Sequence, residues 1–458
     1  MTAVDRDEPR DTAHGTSQLI RNIGSTFGTR VAVMLIALLS SVLLARMLGP
    51  EGRGVFALIL LLPSLATSVG LLGFEQANAV YAGLAPRSRG VLVWQSVAVA
   101  LGIGGTVAAV GMAYVLAGAP GFEALTTAPP ALVLLLLATI PARLVVEYWG
   151  AIIRGMNRIQ LVNVVELGTR VILLLGLVVF VWGLDLGVTG AAWTDAVACI
   201  GTAVVLGIVL GSVKAWCMPT WDSTLWRRVA VFALAVHAAT VAAYLNYRVD
   251  EFIVAALLPV EQLGLYTMAV GLVERIWIIP GSVANVLLPH LTNRRDVDAA
   301  VSAAICRHVA MWTGAACVVL FVVADPVVTI LFSSSFAGAV PPLRWLLPGI
   351  FTLSIGKVLV AELLAREKPR YTVWASGAAV AANIIGNLLL VPRMGISGAA
   401  LASSVSYTIM SSLLIWYYLR VTGLPWTVLI PRAADLSAYR ALWRRMIRGR
   451  AAPASPPG

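Results

Sequence analysis

Long apolar runs, separated by short groups of charged residues, glycine and proline, divide most of the chain into twelve segments. Each run is long enough for a transmembrane helix, which needs about 20 predominantly apolar residues. The run 171–182 is apolar on every face, as is typical of a helix surrounded by lipid or by other helices. The pattern therefore predicts twelve spans, at 19–47, 54–82, 91–118, 128–152, 160–183, 188–212, 228–249, 262–289, 303–332, 342–365, 372–392 and 396–419.

Composition agrees with an all-α polytopic membrane protein. Of the 458 residues, 59% are hydrophobic and only 12% are charged, whereas a soluble domain carries about 25% charged residues. The four cysteines show no CxxC spacing and the four histidines form no metal-binding pattern, so we interpret the cysteines as packing residues and predict neither metal nor cofactor.

The arginines and lysines are distributed unequally between the predicted loops. If the N-terminus is cytoplasmic, 23 of the 33 basic residues fall on the cytoplasmic side and five on the opposite side. This is the positive-inside pattern, and it predicts cytoplasmic N- and C-termini in a cell (inner) membrane. It also accounts for the net charge of +11 without nucleic acid as a partner.

The two ends of the chain differ from the spans. Residues 432–450 alternate apolar positions with arginines at helical spacing, which predicts an amphipathic helix on the anionic cytoplasmic leaflet. Asp435 is placed to cap its start. Residues 1–15 and the tail 451–458 are predicted to be disordered.

Three pairs of segments recur in the same order and at nearly the same offset, which indicates an internal repeat. They are 186–192 with 394–400, 45–57 with 255–267, and 154–158 with 366–370. One period holds six spans, so the two halves start on the same side and form a parallel repeat, as in transporters whose two lobes surround a cavity. Convergent turn chemistry is the alternative. The domain prediction is an N-terminal lobe at 16–213, a linker at 214–227 and a C-terminal lobe at 228–420.

Six segments carry a family resemblance: LLARMLGPEGRGVFAL (43–58), GFEQANAVYAG (73–83), IIRGMNRIQLVN (152–163), LGVTGAAW (186–193), LNYRVDEFIVAALLPVEQLGLYTMA (245–269) and VLLPHLTN (286–293). With these segments the chain resembles the polysaccharide (Wzx-type) flippases of the multidrug/oligosaccharidyl-lipid/polysaccharide (MOP) exporter superfamily. The resemblance implies a V-shaped fold of twelve helices and alternating access. It also implies transfer of an undecaprenyl-diphosphate-linked glycan from the cytoplasmic to the outer leaflet, beside the polymerase and glycosyltransferase machinery.

Charged side chains within the spans are the first candidates for function, because each costs about 2.5–3.5 kcal/mol at membrane depth. They are Arg30, Arg143, Arg170, Arg275 and Lys357, with the acids Glu75, Glu147, Glu166, Asp195, Glu274 and Glu362. The pairs Arg143–Glu147 and Glu166–Arg170 are spaced i,i+4, so each is expected to neutralise itself on one helix face.

Arg30 and Arg275 lie deep in the first and eighth predicted spans, about 17 Å and about 20 Å from the nearer helix end. We expect them to face each other across the cavity and to hold the diphosphate, since guanidinium binds phosphate bidentately. Lys357 and Arg170 are further candidates. A structural salt bridge to Asp195 or Glu75 is the alternative role for either arginine.

Neutral and acidic residues complete the candidate site. Asn285, Asn383, Asn387 and Tyr244 either contact the glycan or hydrogen-bond neighbouring helices. Asp195, Glu75 and Asp250 are candidates for coupling to H⁺ or Na⁺, and the sequence does not choose among them.

Three rival functions are open at this point. A multidrug or metabolite exporter of the same superfamily would favour an acidic or apolar cavity. A lipid II flippase usually has two more spans. A glycan polymerase or ligase would need a long outer loop with catalytic residues, and the predicted outer loops are short, so we do not expect an enzyme.

Overall fold

The computed structural model describes residues 11–216, 218, 220–284, 299–366, 368–432 and 435, and every regular element among them is helical. The main helices are α1 (Asp11–Gly70), α2 (Phe74–Leu84), α3 (Arg89–Val99), α4 (Gly105–Leu116), α5 (Pro130–Ala138), α6 (Ile140–Gly155), α7 (Ile159–Gly176), α8 (Gly187–Ser212), α9 (Ser223–Leu257), α10 (Val260–Val273), α11 (Ala299–Leu331), α12 (Val340–Ala365), α13 (Pro369–Met394) and α14 (Ile396–Thr422). Two π-helical segments, Ala100–Gly104 and Leu177–Gly183, continue α3 and α7.

Ten segments of the described chain are long and apolar enough to cross a membrane. They are Gly28–Gly70, Pro86–Leu116, Pro130–Gly155, Ile159–Gly183, Gly187–Ser212, Val260–Ala284, Ala300–Leu331, Ser334–Ala365, Pro369–Met394 and Ile396–Thr422. The predicted class, an all-helical multi-pass membrane protein, is confirmed.

Twelve spans are not confirmed by this criterion in the described residues, for two reasons. The first two predicted spans form one segment, because α1 continues through a bend at Gly49. Gly49 has φ 66° and ψ −178°, which glycine tolerates and which the following Pro50 favours over helical geometry. The seventh predicted span lies within α9, whose charged residues, among them Arg227 and Asp250, lower its apolarity.

The described chain forms two compact units. The first comprises the described residues of Met1–Leu272, Asp325–Pro342 and Ile384–Ala399, and the second those of Val273–Ala324, Leu343–Asn383 and Ala400–Gly458. The predicted lobe boundaries at 213 and 228 remain a prediction. In the first unit, α6 packs against α2 and α8, and α7 packs against α1 and α8.

The first unit contains two structural signs of the internal repeat. Gly187 and Gly395, which the alignment pairs, both have positive φ, 54° and 58°. Three residues later, a Cβ atom at Gly190 or at Gly398 would lie under 3.0 Å from a carbonyl oxygen of the preceding helical segment, that of Phe180 or of Leu390. Both halves thus make the same tight turn into their sixth span.

The second sign is a reciprocal crossing of α1 and α10. A Cβ atom at Gly54 would lie under 3.0 Å from the carbonyl oxygen of Val260, and one at Gly264 equally close to that of Pro50. The alignment of 45–57 with 255–267 places Pro50 on Val260 and Gly54 on Gly264. The contact is therefore locally two-fold, as in an interface where the same surface meets itself.

In the second unit, the segment after α14 is tied to α11. Arg307 donates from Nε and Nη2 to the two carboxylate oxygens of Asp435, at 2.8 and 3.0 Å, and from Nη1 to the carbonyl of Val428 at 2.8 Å. Asp435 also accepts the backbone N–H of Arg432. Apart from Arg432 and Asp435, the predicted amphipathic helix lies outside the described residues, as does the tail 451–458. At the other end, α1 begins at Asp11, inside the range 1–15 predicted to be disordered.

Candidate functional site

The first unit contains an open cavity of about 830 Å³. Its walls come from α1, α2, α6, α7 and α8, and Tyr244 of α9 closes one side. Seven charged residues line it: Glu75, Arg143, Glu147, Arg154, Glu166, Arg170 and Asp195. Charged walls at membrane depth indicate a space that holds water or a polar ligand.

Arg143 and Asp195 form an ion pair between α6 and α8. Each side chain is 21% exposed, and the guanidinium also donates from Nε to the hydroxyl of Thr139 at 3.0 Å. The predicted local pair Arg143–Glu147 is wrong. Arg143 is held instead by a carboxylate on a different helix, because α8 brings Asp195 to the face of α6 that lines the cavity.

Two arginines of the cavity are not neutralised by a bonded acid. Among the described residues, neither Arg154 nor Arg170 has an ion pair, and their side chains form no hydrogen bond. The predicted pair Glu166–Arg170 does not form in the described structure. Next to Arg170, the hydroxyls of Thr169 and Thr202 bond to each other at 2.8 Å. The cavity thus offers two guanidinium groups and a hydroxyl pair.

One of the four acids of the cavity, Glu75, lies just after the junction of α1 and α2. The chain breaks its helix at residues 71–73, with Leu72 at φ 45° and Gly73 at φ 76°. The hydroxyl of the buried Tyr148 lies 3.1 Å from the carbonyl oxygens of both Gly70 and Leu71, at this break.

Glu75 sits in the first turn of α2, where the positive end of the helix dipole favours a carboxylate. Its Oε2 atom is buried and has no hydrogen-bond partner among the described residues. Arg154 is the basic group within electrostatic range of both Glu75 and Glu147. Because an unpartnered buried oxygen is costly, this corner suits a proton or a small cation.

The remaining predicted residues of the first unit have different places. Tyr244 lines the cavity. Asp250 is buried and accepts the hydroxyl of Tyr266 at 2.5 Å and the N–H of Glu251 at 2.9 Å, which fastens α9 to α10. Arg30 lies on α1, half-buried, and Asn387 is fully buried on α13. Of these, only Tyr244 belongs to the cavity lining.

The second unit holds the other candidates. Arg275 lies in the 3₁₀ segment Glu274–Trp277, and the Lys357 ammonium lies 4.6 Å from the ring centre of Trp277. Asn383 is fully buried and donates to Ser403 Oγ at 3.4 Å. The pairing of Arg30 with Arg275 across a cavity stays a prediction, and Asn285 lies outside the described residues.

The sequence interpretation missed part of the cavity because it paired charges within single helices. Arg143, Glu147, Gly150 and Arg154 are spaced four, three and four positions apart on α6, and Glu166, Thr169 and Arg170 follow the same rule on α7. Such a polar stripe on two neighbouring spans predicts a water-filled face. That signal was present in the sequence.

A comparison with known families shows to which family the chain belongs. The family described as "Polysaccharide biosynthesis protein" matches residues 43–341. The chain belongs to this family. No curated protein matches the sequence.

Solved structures show the fold of this polysaccharide biosynthesis protein. The lipid II flippase MurJ, in an inward closed conformation, is similar with a TM-score of 0.70 at 14% identity, covering 87% of this chain and 89% of that one. An inward-facing multidrug resistance MATE family transporter gives 0.67 at 13% identity, covering 87% and 98%. A MOP superfamily transporter from Pyrococcus furiosus, described by a reverse polarity of its binding pocket, gives 0.59 at 13%, covering 88% and 95%. The chain therefore has the fold of these MOP superfamily structures.

Proposed function

We propose that the protein moves an undecaprenyl-diphosphate-linked oligosaccharide from the cytoplasmic to the outer leaflet of the cell membrane by alternating access. In this proposal both termini are cytoplasmic, as the basic residues of the loops predict. Membership of a polysaccharide biosynthesis family supports the glycan as cargo, and the MOP fold supports transport.

The observation that carries the proposal is the polar cavity with Arg154 and Arg170. A diphosphate needs several charge-assisted donors, and guanidinium supplies them in a planar fork that stays charged. Arg143 is already bound to Asp195, so we assign it to holding the cavity wall together and not to binding the ligand. The hydroxyls of Thr169, Thr202 and Tyr244 offer partners for sugar groups. Arg30, Arg275 and Lys357 remain candidates for the diphosphate, and Asn285, Asn383 and Asn387 for the glycan.

Coupling to H⁺ or Na⁺ fits the corner formed by Glu75 and Glu147. A carboxylate with an unbonded buried oxygen gains from protonation or from a cation. Asp195 is occupied by Arg143 and Asp250 by Tyr266, which makes them weaker candidates for the coupling ion. Anionic lipids at the C-terminal segment and the polymerase or glycosyltransferase machinery are the proposed partners.

A second function is favoured by the balance of charge in the cavity. Four acids face three arginines there, and an excess of acid suits the export of a cationic drug or metabolite. The two functions differ in which charges matter. Arg154 and Arg170 are essential to the flippase, whereas Glu75, Glu147 and Glu166 are essential to the exporter.

Gene deletion followed by complementation tests the proposal. Without the protein, a lipid-linked oligosaccharide should accumulate on the cytoplasmic side, and wild type should clear it. Arg170→Ala, Arg154→Ala, Arg30→Ala and Arg275→Ala are then compared at equal protein level, with Arg158→Ala as an exposed control outside the cavity.

Failed rescue by the cavity variants, with rescue by the control, supports the diphosphate role. Full rescue by all four variants would contradict it. If no glycolipid accumulates and the deletion strain becomes sensitive to cationic compounds, the exporter is the function.

A further inference from the structure

A second, apolar space lies beside the charged cavity. It is a groove of about 420 Å³, lined by Val99, Gly102, Ile103 and Val107 on one side and by Trp221 and Trp226 on the other. No charged side chain belongs to its lining among the described residues. The groove therefore suits an alkyl or isoprenoid chain and not a headgroup.

The π-helical segment Ala100–Gly104 contributes Gly102 and Ile103 to the groove. A Cβ atom placed on Gly102 would meet nothing within 4 Å, so this glycine leaves open space rather than close packing. The hydroxyl of Thr106, which also lines the groove, is bonded to the carbonyl of Gly102 at 2.7 Å. The Thr106 hydroxyl therefore has its hydrogen-bond partner within its own helical segment.

The groove and the cavity lie on two sides of the same helix break. Val107 of the groove reaches Gly70, with its Cγ2 atom 4.0 Å from the Cβ position of that glycine, while Ser68 and Leu71 line the cavity. At this point the wall between the groove and the cavity is formed by the C-terminal end of α1.

A ring stack continues the wall beyond the break. Trp226 of the groove stacks on Phe74, with ring centroids 5.2 Å apart and planes 18° apart. The next residue, Glu75, lines the cavity. Phe74 therefore lies between Trp226 of the groove and Glu75 of the cavity in this part of the wall.

This arrangement matches an amphiphile whose polar group occupies the cavity. We propose that the groove holds the isoprenoid chain of the lipid-linked glycan while the diphosphate is in the cavity, an inference that rests on the proposed function. A chain attached to a group in the cavity would start next to the groove.

Chain-length dependence tests the proposal in proteoliposomes. The probes are a fluorescent sugar linked through diphosphate to an undecaprenyl chain and the same sugar on a two-isoprene chain. Gly102→Trp fills the groove, and Gly105→Trp is the matched control, since a Cβ atom there also meets nothing within 4 Å but Gly105 does not line the groove.

We expect Gly102→Trp to slow transfer of the long-chain probe about tenfold, which corresponds to about 1.4 kcal/mol, and to leave the short-chain probe unchanged. The control should transfer both probes at the wild-type rate. Equal slowing of both probes by Gly102→Trp, or none, would overturn the groove proposal. If wild type transfers neither probe, the proposed function itself has failed.

Photolabelling distinguishes the substrate chain from bulk lipid and does not depend on transport. An undecaprenyl diphosphate with a diazirine at its chain end should label peptides containing Ile103, Trp221 or Trp226, and Gly102→Trp should abolish that labelling. A phospholipid carrying a diazirine in its acyl chain should label lipid-facing helices evenly. Preferential labelling of the groove by the phospholipid would show an ordinary lipid site and refute the proposal.

Discussion

The two halves of the repeat agree in their backbone and differ in their charges. Gly187 and Gly395 adopt the same left-handed turn, and the crossing at Gly54 and Gly264 is reciprocal. The polar contacts are not shared. Extending the alignments of the neighbouring repeat segments, Asp195 corresponds to Ser403 and Arg143 corresponds to Ile355. One half has an ion pair where the other has a bond between Asn383 and Ser403.

This difference separates two kinds of constraint. Positions where one backbone touches another admit no side chain, so the same solution recurs in both halves. In the proposed function, positions on the cavity wall are restricted by the ligand, and the halves are free to diverge there. We therefore interpret the charged pair of the N-terminal half as a sign of function more than of folding.

The largest effect is expected at the shared crossing. Gly54→Ala and Gly264→Ala each place a Cβ atom against a carbonyl oxygen of the backbone, which has no room to move, and each should cost about 2–3 kcal/mol of stability. Thermal unfolding in detergent measures this loss. Gly201→Ala, where a Cβ atom meets nothing within 4 Å, is the control and should be neutral or stabilising. If Gly54→Ala unfolds at the same temperature as the Gly201→Ala control, the crossing is not tight.

The ion pair between Arg143 and Asp195 provides the next test, because the aligned residues of the C-terminal half suggest which residues could replace it. Asp195→Ala leaves the Arg143 guanidinium without its acid and should lower stability by about 1–2 kcal/mol, between the values for exposed and for fully buried pairs. The double variant Arg143→Ile with Asp195→Ser copies the residues of the C-terminal half and should recover most of that loss. Its transport should stay impaired, since the wall charge is absent. A double variant as unstable as the single one would contradict a mainly electrostatic cause.

Arg170 tests whether the anion site belongs to the N-terminal half. Arg170→Ala should reduce transfer of the lipid-linked probe about tenfold or more without changing the melting temperature, because the side chain has no bonded partner among the described residues. Arg170→Lys should retain part of the activity, as a point charge replaces a fork. Lys357→Ala in the second unit is the comparison. A larger loss there than at Arg170 would move the anion site away from the cavity.

The smallest effect concerns the segments that follow the last span of each half. Asp222 caps α9 by accepting the N–H groups of Thr224 and Leu225, whereas Asp435, which follows the last span of the other half, binds Arg307. The hydrogen bonds from the Arg307 guanidinium lower the pKa of Asp435 from 3.8 to about 2. A lowered pKa means stabilisation that is complete above about pH 4 and is lost as the pH falls through about 2.

Asp435→Asn should therefore lower the melting temperature by about 2 °C or less at pH 5–8. The difference from wild type should be constant in that range and should vanish near pH 2. Melting curves of both proteins from pH 2 to 8 measure it. If the difference in melting temperature between wild type and Asp435→Asn grows as the pH falls, it contradicts a stabilising salt bridge between Arg307 and Asp435.

The sequence predicts the helical membrane fold and most span positions, because lipid leaves a strong one-dimensional signal. It does not predict that α1 passes through Gly49 without a loop, since glycine followed by proline usually ends a helix. The repeat is visible in the sequence through glycine-rich turns, which the positive φ angles of Gly187 and Gly395 now explain.

The cavity was only partly predictable, for a physical reason. Glu75, Arg170, Asp195 and Tyr244 were among the predicted residues and do line it. Pairing within a helix was the simplest rule for Arg143, and it failed because the guanidinium binds a tertiary partner, Asp195, in place of Glu147. Which spans face one another is set by packing, and a single sequence does not contain that information directly.

The crossing of Gly54 with Gly264 also bears on the origin of the chain. A reciprocal contact of this kind is what two identical six-helix chains would make about a two-fold axis. In such a homodimer every substitution would appear twice, once on each side of the axis. Joining the copies into one chain lets each side change alone. Arg143 and Asp195, which the alignment pairs with Ile355 and Ser403, show the use of that freedom, since they give a cavity charges that the aligned residues lack.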